Sequence, residues 1–520
     1  MPEITPPASA AARRRPRSYA IILLLRWLVS AAGVFLLLAG VAFIILSFLK
    51  QTSPEPFIAW ARQNAIPLAT AEPGSPAADL APLGQAVGDA RMVALGEAAR
   101  GSHEFIAFKY RFFEYLVEQK GFTAIILEVS LPEAARLNGY IVGGPGDPEA
   151  LVHGLRSWTT DTEETVELVR WMRAWNDAPG RARKIQLYGC DIFPAKVAVV
   201  DALAYLGRID PAFAAAHQGA LAALVFDDER ALAQAYVNLS PAAFERATAE
   251  FDGLIHQLQT NRGAYIAKSS AGEWDFELRE AILARQAHGF YAAIRQDASG
   301  RLSLIERERY LAENALWALD REGPQGKIVL SSHNDEVKKW SGFVAPLPFG
   351  GMLSQILGSQ FVSFGFSFGH GTFVAHLAVA SPNDLSKIGN VEGLKANSVG
   401  AARPGSVASV LAQVGPPMFA LDLRRAPASG PISRWLRWNG GGMRSIGAIY
   451  VPNHDLEYAP PGREFDGIVY FDSVSAANFT PLARETYFNQ RPAPSAGSPA
   501  PVPGSPAAAP PPGKPAPAPQ

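Results

Sequence analysis

The sequence predicts an α/β fold: a largely parallel or mixed central sheet with flanking helices, carrying a helical insertion and preceded by one transmembrane helix. Three observations carry that expectation. Four short apolar runs stop at polar side chains: Met92–Leu95 ahead of Glu97, Phe122–Leu127 ahead of Glu128, Lys184 onward ending in Asp191, and Lys327–Ser331 ahead of His333 and Asn334. Amphipathic stretches alternate with these runs, as they do in β-loop-α units. Ahead of both lies an uncharged run, residues 27–49, bounded by Arg26 and Lys50.

Taken in order, residues 1–26 form a basic segment containing Arg13, Arg14, Arg15, Arg17 and Arg26. Residues 27–49 are long enough to cross a bilayer, which takes about 20 apolar residues. Five arginines precede that span and only Lys50 follows it closely, so the positive-inside rule leaves the N-terminus in the cytoplasm and the body outside. The Pro- and Ala-rich residues 50–88 read as a stalk. The α/β body is expected over 89–490, and from 491 to 520 the chain is nearly all Pro, Ala, Gly and Ser, with too little apolar area to fold.

Within the body, Phe105, Phe108, Phe112 and Leu116 recur at helical spacing, and Gly121 marks a helix stop, which predicts a helix over 103–120. Further helices are expected from Pro132 to about Ile141 and over 163–176. The stretch from about 195 to 319 is alanine-rich, helical in period and without convincing strands, and reads as a helical insertion. Beyond Ser331 the pattern turns to Gly-punctuated β segments: 361–380, 447–451 and 467–471.

Composition excludes some functions. With 47 basic and 48 acidic side chains and no basic cluster in the body, no field suits nucleic acid. Cys190 is the single cysteine, so no internal disulfide or Cys/His zinc site is expected, and no metal or other cofactor.

Glu97, Glu128, Asp191 and His333 each follow an apolar run within two or three positions. If those runs lie in one parallel sheet, all four emerge on the rim where α/β folds bind ligands. Three carboxylates and an imidazole on one rim suit general acid–base hydrolysis, because crowded carboxylates raise one another's proton affinity and one of them can hold or deprotonate a water.

The blocks LGEAARGSHEF, GFTAIILEVS, EETVELVRWMRAWN, IQLYGCD, LAENALWALD, KIVLSSHNDEV and RSIGAIY, in that order, resemble those of the erythromycin esterase-like family over roughly Ala90 to Leu482. The resemblance implies hydrolysis of an ester or macrolactone by water activated with glutamate and histidine side chains. It implies catalytic roles for Glu97, Glu128 and His333, and sets Lys109 at the place of a basic residue on the first helix. Two positions depart from the family: Arg100 stands where it has the motif histidine cast as general base, and Glu336 where it has the second histidine of H-N-x-H.

An arginine is no base at neutral pH, its pKa exceeding about 12. Three outcomes stay open: His103 supplies the imidazole; Glu336 or Glu97 deprotonates a water near His333 while Arg100 holds a carboxylate or an oxyanion; or the pocket persists without chemistry. Glu97, Glu128, His333 and Glu336 are thus the expected catalytic groups, and Arg100, His103, Lys109, Asp191 and Asn334 the expected substrate contacts. The substrate is expected to be a small-molecule or envelope-linked ester. Gly365-Phe-Ser367-Phe-Gly369 matches the nucleophile elbow G-x-S-x-G, which needs a helix after the serine. Residues 372–380 read as a strand instead, so a hairpin is expected there and Ser367 is given no catalytic part.

Overall fold

The computed structural model describes residues 53–488 apart from 182, 223–228, 298, 343–345, 382–383, 439–440 and 459, together with 33, 35–36 and 38–40. The basic segment, most of the expected span and the Pro/Ala tail lie outside the described residues. Among the described residues no helix is long and apolar enough to cross a membrane.

The body is built on a ten-stranded mixed sheet. Its strands are β1 (Ile66–Pro67), β2 (Met92–Leu95), β3 (Ala124–Ser130), β4 (Gln186–Asp191), β5 (Ile328–Ser331), β6 (Phe361–Ser381), β7 (Asp384–Val399), β8 (Met418–Asp422), β10 (Ile449–Tyr450) and β12 (Gly467–Val474). The main path runs β1-β8-β12-β6-β2-β5-β3-β4, with β7 and β10 added along the far half of β6. From β12 to β4 every neighbour is parallel, whereas β8 and β1 close one edge antiparallel. A separate antiparallel pair joins β9 (Met443–Arg444) to β11 (Leu456–Glu457).

Parallel strands need crossovers, and the predicted helices supply them. Helix α1 (His103–Lys120) follows β2 and ends at Gly121 in the left-handed conformation, as its sequence requires. Its Phe105 and Phe108 pack edge-on against Phe366 and Phe471 of the sheet, with Phe105 centred 5.1 Å from Phe471. All four rings are buried, each stabilising by about 1.5–3 kcal/mol. Helix α2 (Leu131–Ile141) follows β3, and α3 (Glu163–Asp177) precedes β4. The insertion is helical as expected. It includes α4 (Ala195–Ile209), α5 (Pro241–Thr260), α6 (Ala271–Gln296) and α7 (Arg301–Arg321), packed around Tyr205, Phe251, Leu254 and Tyr291.

Three expectations are corrected. The segment taken as a stalk, 50–88, joins the fold from Glu55 onward: Phe57 stacks on Trp435 at 4.1 Å, Leu80 and Leu83 are buried, and β1 pairs with β8. Its apolar residues, thinly spread among Pro and Ala, are enough to cover the sheet edge. Glu128 lies inside β3 rather than past its end, in a bulge where three steps from Leu127 to Ser130 face two steps from Gly189 to Asp191. Gly189 makes room for it, since a Cβ there would stand 2.5 Å from the Val129 carbonyl. The Gly369–Gly371 stretch is not a turn. β6 runs through it unbroken, pairing with β12 up to Gly371 and continuing beside β7.

Candidate active site

Register alone brings the polar groups together. Leu95, Ser331, Leu127 and Gly189 lie in one row across β2, β5, β3 and β4, so the residues that follow them share the carboxyl-end rim. The loop after β2 is fixed by its backbone: the Gly96 N–H donates to Phe364 (2.9 Å), the Arg100 N–H to Ile446 (3.0 Å), and the Gly101 carbonyl accepts from Val374 (3.0 Å). After β5, His333 caps the short helix α8 (Asn334–Val337), and the Asn334 N–H donates to the Glu97 carbonyl at 3.0 Å.

Arg100 lies at the centre. Its guanidinium donates to Glu128 at 2.8 Å and stands 3.6 Å from Glu336 and 3.8 Å from Glu97. Arg100 and Glu336, the two residues expected from the resemblance to stand in place of histidines, therefore face each other as an opposite-charge pair. Burial disfavours a charged Arg100, but Glu128, Glu336 and Glu97 outweigh it and push its proton affinity further up. Burial likewise opposes ionisation of Glu128. Arg100, Arg307 and the Ser332 hydroxyl overcome it and hold that carboxyl well below the usual range. The Ser332 hydroxyl donates to Glu128 at 2.6 Å, and Arg307 reaches Glu128 at 3.2 Å and Asp191 at 2.6 Å.

Glu336 differs. Burial and the nearby Glu128 carboxylate raise its pKa, against the pull of Arg100 and His333. Its Oε2 is buried without a hydrogen-bond partner, and so is His333 Nε2. His333 Nδ1 lies 3.3 Å from both the Asp335 backbone N–H and the Asp335 carboxylate, and 3.8 Å from Glu336. Burial favours neutral His333, but Asp335 and Glu336 raise its pKa on balance.

The remaining expected residues divide. Lys109 donates to Glu97 at 2.6 Å and, being only 3% exposed, is a buried counter-ion rather than an open substrate contact. Asn334 is a latch between β5 and β6. Its amide donates to the Phe366 carbonyl (2.8 Å) and accepts from the Phe366 N–H (2.9 Å), which leaves little for substrate. His103 turns away from this group, to Glu164 (2.6 Å) and Glu72 (3.0 Å), whose carboxylates lift its pKa to about 9 against the effect of burial. Three groups were missed: Arg307 and Glu308, which look like a solvated helix face in the run ERER, and Ser332. Glu308, pushed up to about 8 by burial and by Glu336, accepts the Phe349 N–H at 2.6 Å. Among the described residues no three potential ligating side chains form a metal set. Ser367 is inside β6 and 1% exposed, and its hydroxyl has no hydrogen-bond partner among the described residues.

Residues 117–474 match the family model for erythromycin esterase, well over half of the chain. The chain belongs to the erythromycin esterase family. The matched region starts after the LGEAARG stretch that holds Arg100. A curated relative of this family member, erythromycin esterase type II of Escherichia coli, is 25% identical over 357 residues, spanning 64% of this chain and 81% of that protein. In fold, the esterase family member is similar to a Bacillus cereus protein of known crystal structure (TM-score 0.70, 24% identity, 82% of this chain and 99% of that one). It is also similar to a histidine-to-asparagine mutant of the erythromycin esterase EreC in its open conformation (TM-score 0.59, 18% identity, 79% and 97%).

Proposed function

We propose that this esterase family member is a membrane-anchored hydrolase of ester or lactone bonds in which Glu336 takes the proton of the attacking water. One observation carries the reading: Glu336 Oε2 and His333 Nε2 are both buried without a hydrogen-bond partner, on the same short stretch beside the Arg100–Glu128 pair. Buried polar atoms without partners mark a place for water or ligand. Of the two glutamates open as base, Glu97 is engaged by Lys109 at 2.6 Å, whereas Glu336 Oε2 accepts no hydrogen bond and its proton affinity is raised by burial and by Glu128, as a base requires.

In the proposed step the Glu336 carboxylate removes a proton from water, the oxygen bonds to the acyl carbon, and the carbonyl electron pair moves onto its oxygen. The bond to the leaving alkoxide then breaks, and the proton on Glu336 passes to that alkoxide. His333 Nε2–H is the assigned donor to the oxyanion. Arg100 and Arg307 keep Glu128 ionised, and Glu128 in turn holds Arg100 beside Glu336.

Residues 27–49 and the five arginines before them support a cytoplasmic N-terminus and a body outside the cytoplasmic membrane. An envelope-linked ester then suits the setting as well as a small-molecule lactone. A second reading, a binding protein without turnover on the same fold, is favoured by the closed cluster in which Arg100 faces three carboxylates within 3.8 Å. Full-length chain in detergent, incubated with aryl esters, a macrolide lactone and a lipid-linked ester, separates them. Hydrolysis that falls on Glu336→Gln and on His333→Ala supports the hydrolase. No turnover of any ester, or turnover indifferent to both changes, overturns it.

A further inference from the structure

Between α2, α4 and α6, away from the Arg100 cluster, lies a cavity of about 320 Å³ whose lining includes Asp201, Glu277 and Glu280 together with Phe276 and Tyr205. Its two arginines are already engaged. Arg136 pairs with Asp201 at 2.8 Å and Arg208 with Glu273 at 2.5 Å. Among the described residues no cation lies within ion-pair distance of Glu277 or Glu280, Arg208 and Arg136 acting on them only from farther off. Glu280 is 1% exposed, and its Oε2, like that of Glu277, has no hydrogen-bond partner; Glu133 of α2, bonded to Ser130 through its other oxygen, keeps Oε1 unpartnered as well. Leaving such oxygens unpaired in a native fold is costly, by about 1–3 kcal/mol each.

We infer that this cavity is a binding site for a small primary ammonium ion. Three kinds of group fit that ligand. Unpartnered carboxyl oxygens accept its N–H donors, negative charge balances it once protons leave, and the apolar rings of Phe276 and Tyr205, which already carry Arg321 at 5.9 Å and Arg208 at 5.6 Å, suit its alkyl part. A divalent metal fits less well, because among the described residues no three ligating side chains converge on one point. Without a bound cation, protonation relieves the charge. Burial, then Asp201 and Glu273 against Arg208, push Glu277 up to about 8; burial, then Glu277, Asp201 and Glu133 against Arg136, push Glu280 up to about 10.

Binding at pH 7 is therefore accompanied by proton release. The test is titration calorimetry of the full-length chain in detergent with n-butylamine and 1,4-diaminobutane, in two buffers of different ionisation heat. Tetramethylammonium, Mg²⁺ and Ca²⁺ are the comparators. The expected result is saturable amine binding, buffer-dependent heat, and affinity at least tenfold weaker in the Glu277→Gln/Glu280→Gln double variant. Glutamine matches the protonated acid in shape, so this variant should melt no lower than the parent, which a thermal scan without amine checks. No amine binding, equal binding by the double variant, or binding by Mg²⁺ or Ca²⁺ but not by the amines overturns the inference.

Discussion

Replacing Arg100 with alanine removes the cation that, alone among the described residues, lies within 4 Å of Glu97, Glu128 and Glu336 together. Breaking a buried ion pair from one side costs about 3–5 kcal/mol when the partner is left uncompensated. Here the partners are only partly stranded. Glu97 keeps Lys109 at 2.6 Å, and Glu128 keeps Arg307 at 3.2 Å and Ser332 at 2.6 Å. Among the described residues Glu336 keeps His333, at 3.8 Å, and its raised proton affinity lowers the cost of losing the cation. The expected loss is therefore about 2–3 kcal/mol at pH 7. Glu128 titrates well below an unfolded glutamate, whose pKa is about 4.3. Its contribution is thus fully present above about pH 4.5 and is lost as pH falls through its lower folded value. The gap between parent and Arg100→Ala should be widest above pH 5 and narrow on acidification. Guanidinium unfolding of the full-length chain, followed by tryptophan fluorescence at pH 7, 6, 5 and 4, measures it. A cost under about 0.5 kcal/mol at pH 7, or one that grows as pH falls, would refute the reasoning.

Gly96→Ala should destabilise by about 2–4 kcal/mol, because the new Cβ falls 2.1 Å from Asn334 Oδ1 and drives out the latch to Phe366; a denaturation midpoint unchanged from the parent would contradict this. Glu308→Gln should gain stability over the parent as pH rises from about 4.5, the unfolded range, to about 8, since the parent must then ionise a buried acid or hold its proton. Unfolding at pH 5 and pH 8.5 checks the sign, and a gap that shrinks with rising pH counts against it. If Glu336 is the base, kcat/KM should rise with pH through its raised pKa, the limb vanishing in Glu336→Gln, as a pH–rate profile of both proteins would record.

The sheet was legible because β2, β3, β4 and β5 carry apolar runs with polar residues gathered at or just past their carboxyl ends; β2 is buried at all four positions. Helix α1 was legible to the residue, through its phenylalanine spacing and its terminal Gly121. What the sequence concealed depends on long-range geometry. The Glu128 bulge is set by the lack of a Cβ at Gly189, some sixty positions on, and Arg307 reaches Asp191 from the far end of a long helical excursion. No local pattern separates Arg307 from the solvent-facing arginines beside it. Asn334 shows the converse: its place next to His333 suggested a ligand contact, yet both halves of its amide are bonded to one backbone unit of β6. The segment before residue 88 was underestimated because edge-covering strands and short helices carry too few apolar residues to show a period.

The most direct test of the hydrolase account is the turnover of Glu336→Gln against that of Glu97→Gln on the best ester substrate, both compared with the parent at saturating concentration. The account predicts that Glu336→Gln lowers kcat by about 10²-fold or more, as loss of a general base does. A Glu336→Gln protein that turns over at the parental rate, whatever Glu97→Gln does, would contradict it.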